Sequence, residues 1–275
     1  MVRYVEIHPI PSLRAFVHRL WILDMAGFAP ASNEVVPQRV LPDGRPELVI
    51  HFGDLCHRLD PATGRSEPQQ RSLMIGASKS HVVLAPGKSA GMIGVRFKSA
   101  GAMRFLKSSM SEFSDQIVGL RDWSSRCGAE IENRVLEASQ DEERFRIVQD
   151  FLVAQLMDGR PDLVLSKMIG EIVKSRGTID LSKVYADLNI SERQAERKFL
   201  AGIGLGPKLY ARVIRFQAIV QAINQAPRSD LTALALDFGY FDQSHFIREF
   251  KSFAGITPRA FVTETHAISD CFTAS

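Results

Sequence analysis

The stretch ALDFGYFDQSHFIREFKSFAGITPRAF, residues 235–261, is the most informative part of this sequence. It predicts two short helices separated by a turn at Gly239, with Asp230 and Asp242 as their N-caps. Two short helices joined by a tight turn that contains glycine are typical of a helix-turn-helix unit. Apolar side chains at helical spacing are expected to form the small core between these helices: Leu231, Leu234, Phe246 and Phe250.

An earlier stretch, LSKVYADLNISERQAERKFL at residues 181–200, repeats the same plan. Asp180 is the predicted N-cap of its first helix, and Ser191 with Gln194 forms a capping-box pattern before its second. Asn189 occupies the turn position, and asparagine tolerates the left-handed conformation. The sequence therefore predicts two helix-turn-helix units in tandem.

A longer predicted helix joins the two units. It begins at Gly206-Pro207 and runs through Ala226, which makes it roughly 30 Å long at 1.5 Å per residue. Residues 191–259 carry ten Lys/Arg against six Asp/Glu, a net charge of +4, whereas the whole chain has a net charge of +3. A positive excess confined to this segment favours nucleic acid as a partner.

The first hundred residues contain short apolar runs punctuated by glycine and proline, which is typical of a small barrel or sandwich. The segment 60–70 is a predicted polar loop, and the segment 11–23 a short amphipathic helix that runs into a strand. The predicted strands are Glu47–Phe52, Leu73–Ile75, His81–Leu84 and Met92–Phe97.

Residues 100–176 are predicted to be helical, and a soft prior of roughly 150 residues per domain suggests two domains. We place the domains at 1–160 and 161–265, with a helical connector at about 100–160. One helix of this region has a continuous apolar face, which either forms a dimer seam or packs against its own domain: Phe145, Val148, Leu152 and Leu156.

The composition is that of an ordinary globular protein, with 45% hydrophobic and 24% charged residues among 275. Cys56, Cys127 and Cys271 lie far apart without a CxxC pair, which argues against a zinc ribbon and suits a reducing compartment. No apolar run approaches the roughly 20 residues that span a bilayer. The sequence therefore predicts a cytoplasmic protein without a membrane partner.

The C-terminal hundred residues resemble the AraC/XylS transcriptional regulators. The resemblance rests on residues 235–261, on SERQAERKF, and on GIGLGPKLYARVIRFQAIVQAI. Residues 1–125 are similar to a domain often found in front of this module, through WILD, LPDGRPELVIHFGD and IGVRFKSAGAMRFL. The implied fold is α+β and multidomain: a β-rich N-terminal domain with a cupin-like barrel as its candidate architecture, a helical connector, and an all-α C-terminal domain with two helix-turn-helix units.

The resemblance implies sequence-specific binding to double-stranded promoter DNA, with the two recognition helices in successive major grooves about 34 Å apart. Carried over by position, the base-reading candidates are Arg193, Gln194, Glu196, Arg197, Gln243, Ser244, His245 and Arg248. The phosphate-contacting candidates are Lys198, Lys208, Lys251 and Arg259. RNA polymerase, a small-molecule effector and a second copy of the chain are candidate partners, and no cofactor is expected.

The first unit departs from the family pattern in its core. Tyr185 stands where the family usually has a small residue, and Ala195 stands where it usually has a larger apolar one. We interpret this as a size exchange that conserves total volume, which cores tolerate best. If the exchange fails, the first unit is loosely packed and the second dominates DNA binding.

Two further kinds of site, a ligand pocket and a metal site, are each weighed against a structural alternative. Trp21, Phe52 and Phe97 are candidates for lining a ligand pocket in the N-terminal domain, with core packing as the alternative for each. His51 and Cys56 lie near His57, but their spacing favours unrelated side chains over a metal site. No metal is therefore expected.

The sequence contains no P-loop, no G-x-G-x-x-G and no H-E-x-x-H signature of an enzyme. The glycine-rich stretch 202–206 precedes the connecting helix and is interpreted as an interhelical loop. We therefore expect a regulator and not an enzyme. The alternative is a small-molecule enzyme domain fused to a DNA-binding tail.

Overall fold

The computed structural model of the chain describes residues 2–25, 37–106, 108–123, 125–159, 161–227 and 230–263. Cys271 and the last two residues of the predicted second domain lie outside these ranges. The described strands are β1 (Arg3–Ile7), β2 (Val17–Asp24), β3 (Gln38–Val40), β4 (Glu47–His51), β5 (His57–Leu59), β6 (Ser66–Pro68), β7 (Ser72–Ile75), β8 (Val82–Ala85), β9 (Gly91–Phe97) and β10 (Ile117–Gly119).

The strands form two antiparallel sheets. The larger sheet has the order β1-β2-β9-β4-β7-β10, and the smaller has the order β3-β8-β5-β6. Side chains alternate between the two faces of the larger sheet, so Leu20 and Ile22 enter one apolar cluster while Trp21 and Leu23 enter another. The β-rich N-terminal region is thus confirmed, whereas the cupin-like label stays a prediction.

Three local predictions for this region were wrong. The segment 60–70 is not all loop, because β6 pairs with β5 across it. The segment 11–23 starts with a single 3-10 turn, Pro11–Leu13, instead of an amphipathic helix. The region 100–160 is not all helical, because β10 pairs with β7. β6 pairs with its neighbour β5 across a short loop, whereas β10 depends on a partner about 40 residues away, and neither pairing is revealed by local periodicity.

The described helices follow the sheets and make up the whole C-terminal part of the structure. Two further 3-10 turns, Ala102–Arg104 and Met110–Phe113, lie between β9 and β10. The α-helices are α1 (Leu120–Trp123), α2 (Ser125–Glu137), α3 (Asp141–Gln155), α4 (Leu163–Lys174), α5 (Leu181–Asp187), α6 (Glu192–Gly202), α7 (Pro207–Gln225), α8 (Leu231–Asp237), α9 (Gln243–Ala254) and α10 (Pro258–Thr263). Within the described ranges, none of them is both long and apolar enough to cross a membrane.

The apolar face of α3 packs against its own domain. Phe145, Val148 and Leu152 are buried in one cluster with Leu20 of β2, and Leu156 packs against that cluster from its edge. Burial within the chain removes this face from solvent. Of the two interpretations left open by the sequence, the structure selects packing within the domain over a dimer seam.

The loop before β4 joins the N-terminal domain to α7. Gln217 of α7 donates from Nε2 to the carbonyl oxygen of Pro42 at 2.6 Å. The Tyr210 hydroxyl lies 2.7 Å from Ser99 Oγ. Gly44 has a φ of +72°, and a Cβ there would come within 3.0 Å of the Tyr210 ring. A glycine is therefore required both by the backbone conformation and by the close approach of α7.

The ends of α6 and α9 also touch the N-terminal domain. Ser114 donates from Oγ to the carbonyl oxygen of Gly204, directly after α6. The backbone N–H of His81 donates to the carbonyl oxygen of Phe253 in α9 at 2.8 Å. The N-terminal domain thus contacts all three helices that set the positions of the two predicted DNA-binding units.

Candidate nucleic-acid interface

The first helix-turn-helix unit is formed by α5 and α6, and its local signals act as predicted. Asp180 caps α5 by accepting from the backbone N–H of Ser182 at 3.0 Å. Asn189 adopts a φ of +49° and ends that helix in the left-handed region. Ser191 and Gln194 form a reciprocal capping box at the start of α6. The tight turn is therefore encoded by residues within it.

The second unit, α8 and α9, follows the same plan. Asp230 accepts from the backbone N–H of Thr232 at 2.8 Å, and Asp242 accepts from that of His245 at 2.7 Å. Gly239 supplies the left-handed turn residue with a φ of +72°. Gly255, with a φ of +76°, ends α9.

The predicted base-reading arginines of the first unit are exposed. Arg193 and Arg197 lie on the solvent face of α6, and neither takes part in an ion pair with a described residue. Gln194 is also exposed, but its Oε1 accepts from the backbone N–H of Ser191 at 2.8 Å. Its carbonyl oxygen therefore already stabilises the start of α6, and only its amide N–H groups remain for another contact.

Two charged candidates, Glu196 of α6 and Lys208 of α7, interact across the junction between these helices. The Glu196 carboxylate lies over Gly206, the N-cap of α7, where the helix dipole favours a negative charge. Lys208 Nζ lies 2.6 Å from the carboxylate of Glu192. Both residues stay exposed, but each has an interaction within the chain that competes with DNA.

The base-reading candidates of the second unit lie at the start of α9. Gln243, Ser244 and Arg248 are exposed. His245 is half-buried, and its ring packs edge-on against Tyr240 with 5.2 Å between the centroids. His245 therefore helps to hold the turn in place, while the other three side chains are open to solvent.

The predicted phosphate contacts divide into two kinds. Lys198 is half-buried and pairs with Asp162, the N-cap of α4, so this lysine joins α6 to α4. Lys251 and Arg259 are exposed, and neither forms an ion pair within the part of the chain that the structure describes. These two fit a phosphate-contacting role better than Lys198 does.

A buried charge network that sequence reasoning missed supports the second unit. The Glu249 carboxylate of α9 accepts from Arg212 Nε at 2.8 Å, from Arg215 Nη2 at 2.6 Å and from the Tyr240 hydroxyl at 2.8 Å. Arg215 also lies over the Tyr240 ring, 4.3 Å from its centroid. One carboxylate thus ties the second recognition helix to α7 and to its own turn. A glutamate between the apolar positions of α9 was the signal in the sequence.

The network holds Glu249 in its charged form. Burial by itself raises the pKa of Glu249, but the hydrogen bonds from Arg215 and Tyr240 outweigh burial and keep that pKa below its ordinary value of 4.5. The second recognition helix therefore rests on an ionised carboxylate at neutral pH.

Trp21 and Phe97 lie on opposite faces of the larger sheet. Trp21 packs on the backbone of Gly94, its register partner on β9, whereas Phe97 belongs to the cluster on the other face. Phe52 packs against the cluster of Phe97 and lies under the guanidinium of Arg144 at 4.1 Å. The pocket-lining role of these three aromatic side chains stays a prediction.

A different cavity, of about 80 Å³, lies between the two sheets. Its volume exceeds the roughly 15 Å³ that one water molecule needs. Arg96, which is fully buried, forms its floor and donates from Nε to Glu47 Oε1 at 2.8 Å, and Gln217 of α7 closes one side. The apolar walls come from both sheets: Val40, Leu41, Ile75, Val82, Leu84 and Ile117.

The histidine and cysteine residues weighed as metal ligands occupy separate surroundings. Burial lowers the pKa of His51 to about 4 and raises that of Cys56 to about 12. His57 has a ring nitrogen 3.1 Å from Ser66 Oγ. Among the residues with described coordinates, no group of three or more histidine, cysteine or acidic side chains is placed to hold a metal ion.

Two family models match the chain. Residues 5–119 match a domain of unknown function, DUF6597, and residues 185–264 match a helix-turn-helix domain. The chain is 27% identical over 111 residues to the HTH-type transcriptional regulator MtrA of Neisseria gonorrhoeae. That match covers 40% of this chain and 36% of the relative, so the chain spans about a third of the length of this curated relative.

Among solved structures, ToxT from Vibrio cholerae O395 has 15% identity and a TM-score of 0.45, with coverage of 82% of this chain and 95% of ToxT. ToxT from strain SCE256 bound to an unsaturated fatty acid has 12% identity and the same TM-score, with coverage of 98% and 96%. Likenesses of this size do not establish a common structure for the whole chain. The helix-turn-helix match over residues 185–264 and the sequence similarity to MtrA agree with the resemblance of the tandem units to the AraC/XylS transcriptional regulators.

Proposed function

We propose that this protein is a sequence-specific regulator of transcription that binds double-stranded promoter DNA through α6 and α9. The observation that carries the proposal is the pair of recognition helices with exposed arginines, α6 directly before α7 in the chain and α9 packed on α7 through Arg212 and Arg215. With 19 residues, α7 is about 28 Å long, a suitable spacer for major grooves about 34 Å apart on one face of DNA.

Exposed candidates that form no ion pair within the described chain are assigned first, either to base reading or to phosphate contact. Arg197 and Arg248 are proposed to bind guanine bidentately, and Gln243 to read adenine. Lys251 and Arg259 are proposed to contact phosphates, which position the protein without reading sequence. Five other candidates also interact with residues of this chain, and we propose that they contact DNA in addition: Gln194, Glu196, His245, Lys198 and Lys208.

Control by a small molecule is proposed to act through the cavity between the sheets. Pro42 lines that cavity and also accepts a hydrogen bond from Gln217 of α7, so one loop contacts both the cavity and the DNA-binding module. A ligand with different affinities for two arrangements of this loop shifts the DNA-binding state, whereas equal affinities shift nothing.

The proposal also covers the domain bounds, the cellular location and the macromolecular partners. We place the domains at 1–160 and 161–265 and the protein in the cytoplasm, where promoter DNA is accessible. RNA polymerase and a second copy of the chain are its proposed macromolecular partners. A regulator of this kind needs no catalytic turnover.

Selection of genomic fragments by the purified full-length protein near physiological salt tests this function. We expect a recovered operator with two short half-sites about one helical turn apart. Arg248→Ala should weaken binding by about 1–3 kcal/mol and relax the preference at one position, while Lys251→Ala should weaken all sequences alike. Failure to select any motif, with or without cell metabolites present, would contradict the proposal.

A further inference from the structure

The turns of the two helix-turn-helix units differ by one residue. In the first unit, Asn189 in the left-handed region is followed by Ile190 and then by the N-cap of α6. In the second, Gly239 is followed by Tyr240, by Phe241 and only then by the N-cap of α9. Phe241 is therefore the additional residue of the second turn.

The additional residue is not used for packing. Ile190 and Tyr240 occupy equivalent places, because their backbone N–H groups bond to Tyr185 and Ala235 at 3.0 Å in each unit. Tyr240 fills the core position of its turn and is buried, whereas Phe241 is 89% exposed. Among the described residues, Phe241 is the most exposed large apolar side chain.

Phe241 stands at the end of α9 that carries the exposed polar side chains. It precedes Gln243 by two residues, so their Cα atoms are at most about 7.6 Å apart. Arg248 and Lys251 make this helix cationic, and the nearby acid, Asp242, is engaged as the N-cap. An exposed apolar ring next to the amide of Gln243, on the helix that also carries Arg248 and Lys251, fits a DNA groove better than an apolar protein surface.

We propose that Phe241 contacts the C5-methyl group of a thymine in the major groove and is a specificity-determining residue of the second unit. This inference rests on the proposed DNA-binding function. The thymine methyl is the apolar group that a major groove presents, and a phenylalanine ring contacts it favourably. Burial of one methyl-sized group is worth about a four-fold difference in affinity.

Deoxyuridine substitution tests the contact, because deoxyuridine keeps the base pair of thymidine and lacks only its methyl group. Each thymine of the selected operator is replaced in turn, and the Kd is measured for the unmodified full-length protein and for Phe241→Ser. We expect one position at which the replacement raises the Kd of the unmodified protein about four-fold and leaves the Kd of Phe241→Ser unchanged. Leu236→Ala, which alters another exposed apolar side chain of the same unit, is the control and should retain the four-fold cost.

Each other result has a defined meaning. The contact is overturned if every thymine position has the same sensitivity in the unmodified protein and in Phe241→Ser, or if Leu236→Ala loses the four-fold effect as Phe241→Ser does. A uniform weakening by Phe241→Ser assigns the ring to the DNA backbone, and unchanged DNA binding assigns it to another partner; both overturn the inference while the proposed function stands. If the unmodified protein selects no operator, the proposed function fails and this inference fails with it.

Discussion

The two helix-turn-helix units share one backbone plan but fill their cores in opposite ways. In the first unit, the large Tyr185 of α5 accompanies the small Ala195 of α6, and both are buried in one cluster. In the second, the small Ala235 of α8 accompanies the large Phe246 of α9, and both are buried in the same cluster. The difference favours the interpretation that such a unit constrains the combined volume of the pair and not the size at either position.

The units also differ in how each recognition helix is attached. Lys198 and Glu249 occupy the same position, seven residues after the N-cap of α6 and α9. Lys198 pairs with Asp162 of the helix-capping segment before α4, whereas Glu249 joins Arg212 and Arg215 of α7. A single half-exposed pair holds the first helix, and a buried network of three donors holds the second.

The largest effect is expected from removal of the second attachment. Glu249→Ala leaves two arginine side chains without their carboxylate and should lower the free energy of unfolding by about 3 kcal/mol or more. Lys198→Ala, the matched change in the first unit, should cost less than about 1 kcal/mol. Urea unfolding of the full chain measures both. Equal losses would contradict the contrast between the two attachments.

The same network predicts a pH dependence with a defined sign. Because the pKa of Glu249 is lowered in the folded protein, its contribution is complete above the ordinary value of 4.5 and is lost as the pH falls through the lowered value. The stability difference between the unmodified protein and Glu249→Gln should therefore shrink on acidification. A difference that grows as the pH falls below 4.5 would contradict a lowered pKa for Glu249 in the folded protein.

The size exchange predicts the next largest effect. Tyr185→Ala should lower the free energy of unfolding by about 3 kcal/mol, because it removes a buried aromatic side chain from a cluster in which Ala195 is already small. Adding Ala195→Leu to this variant gives the first unit the arrangement of the second, with the small side chain on its first helix and the large one on its recognition helix. The double variant should recover part of the lost free energy of unfolding. The melting temperatures of the single and double variants measure the recovery, and equal losses would refute the exchange.

The smallest expected effect on stability is the removal of one hydroxyl group, and its sign should differ between Tyr185 and Tyr240. The Tyr185 hydroxyl is buried and has no hydrogen-bond partner among the described residues, and burial raises its pKa to about 12. Tyr185→Phe should therefore stabilise the protein by about 1 kcal/mol. Tyr240→Phe should destabilise it, because the Tyr240 hydroxyl donates to Glu249. Thermal unfolding gives both signs, and destabilisation by both changes would break this comparison.

Prediction from the sequence succeeded where a signal and its effect lie within a few residues. Asp180, Ser191 and Asp242 cap their helices as expected, and Asn189 adopts the left-handed turn. The strand 47–51 lies inside its predicted run. The exposed positions of Arg197 and Arg248 agree with the interface that the pattern indicated, although their base-reading roles stay predictions.

Prediction failed where the outcome depends on a distant partner. Ile117–Gly119 became a strand because β7 offered an open edge, and Trp21 and Phe97 were separated because strand pairing put them on opposite faces. The ion pair of Lys198 with Asp162 was likewise not foreseen, and the predicted phosphate contact of Lys198 stays a prediction.

The sequence by itself determined the tandem helix-turn-helix plan and the helix ends, because caps, turn residues and apolar periodicity act over one or two helical turns. Only the tertiary structure decided that Glu249 meets Arg212 and Arg215, that a cavity forms between the sheets, and that the loop at Pro42 reaches α7. These features join residues from 34 to 175 positions apart, so they exist only once the chain has folded.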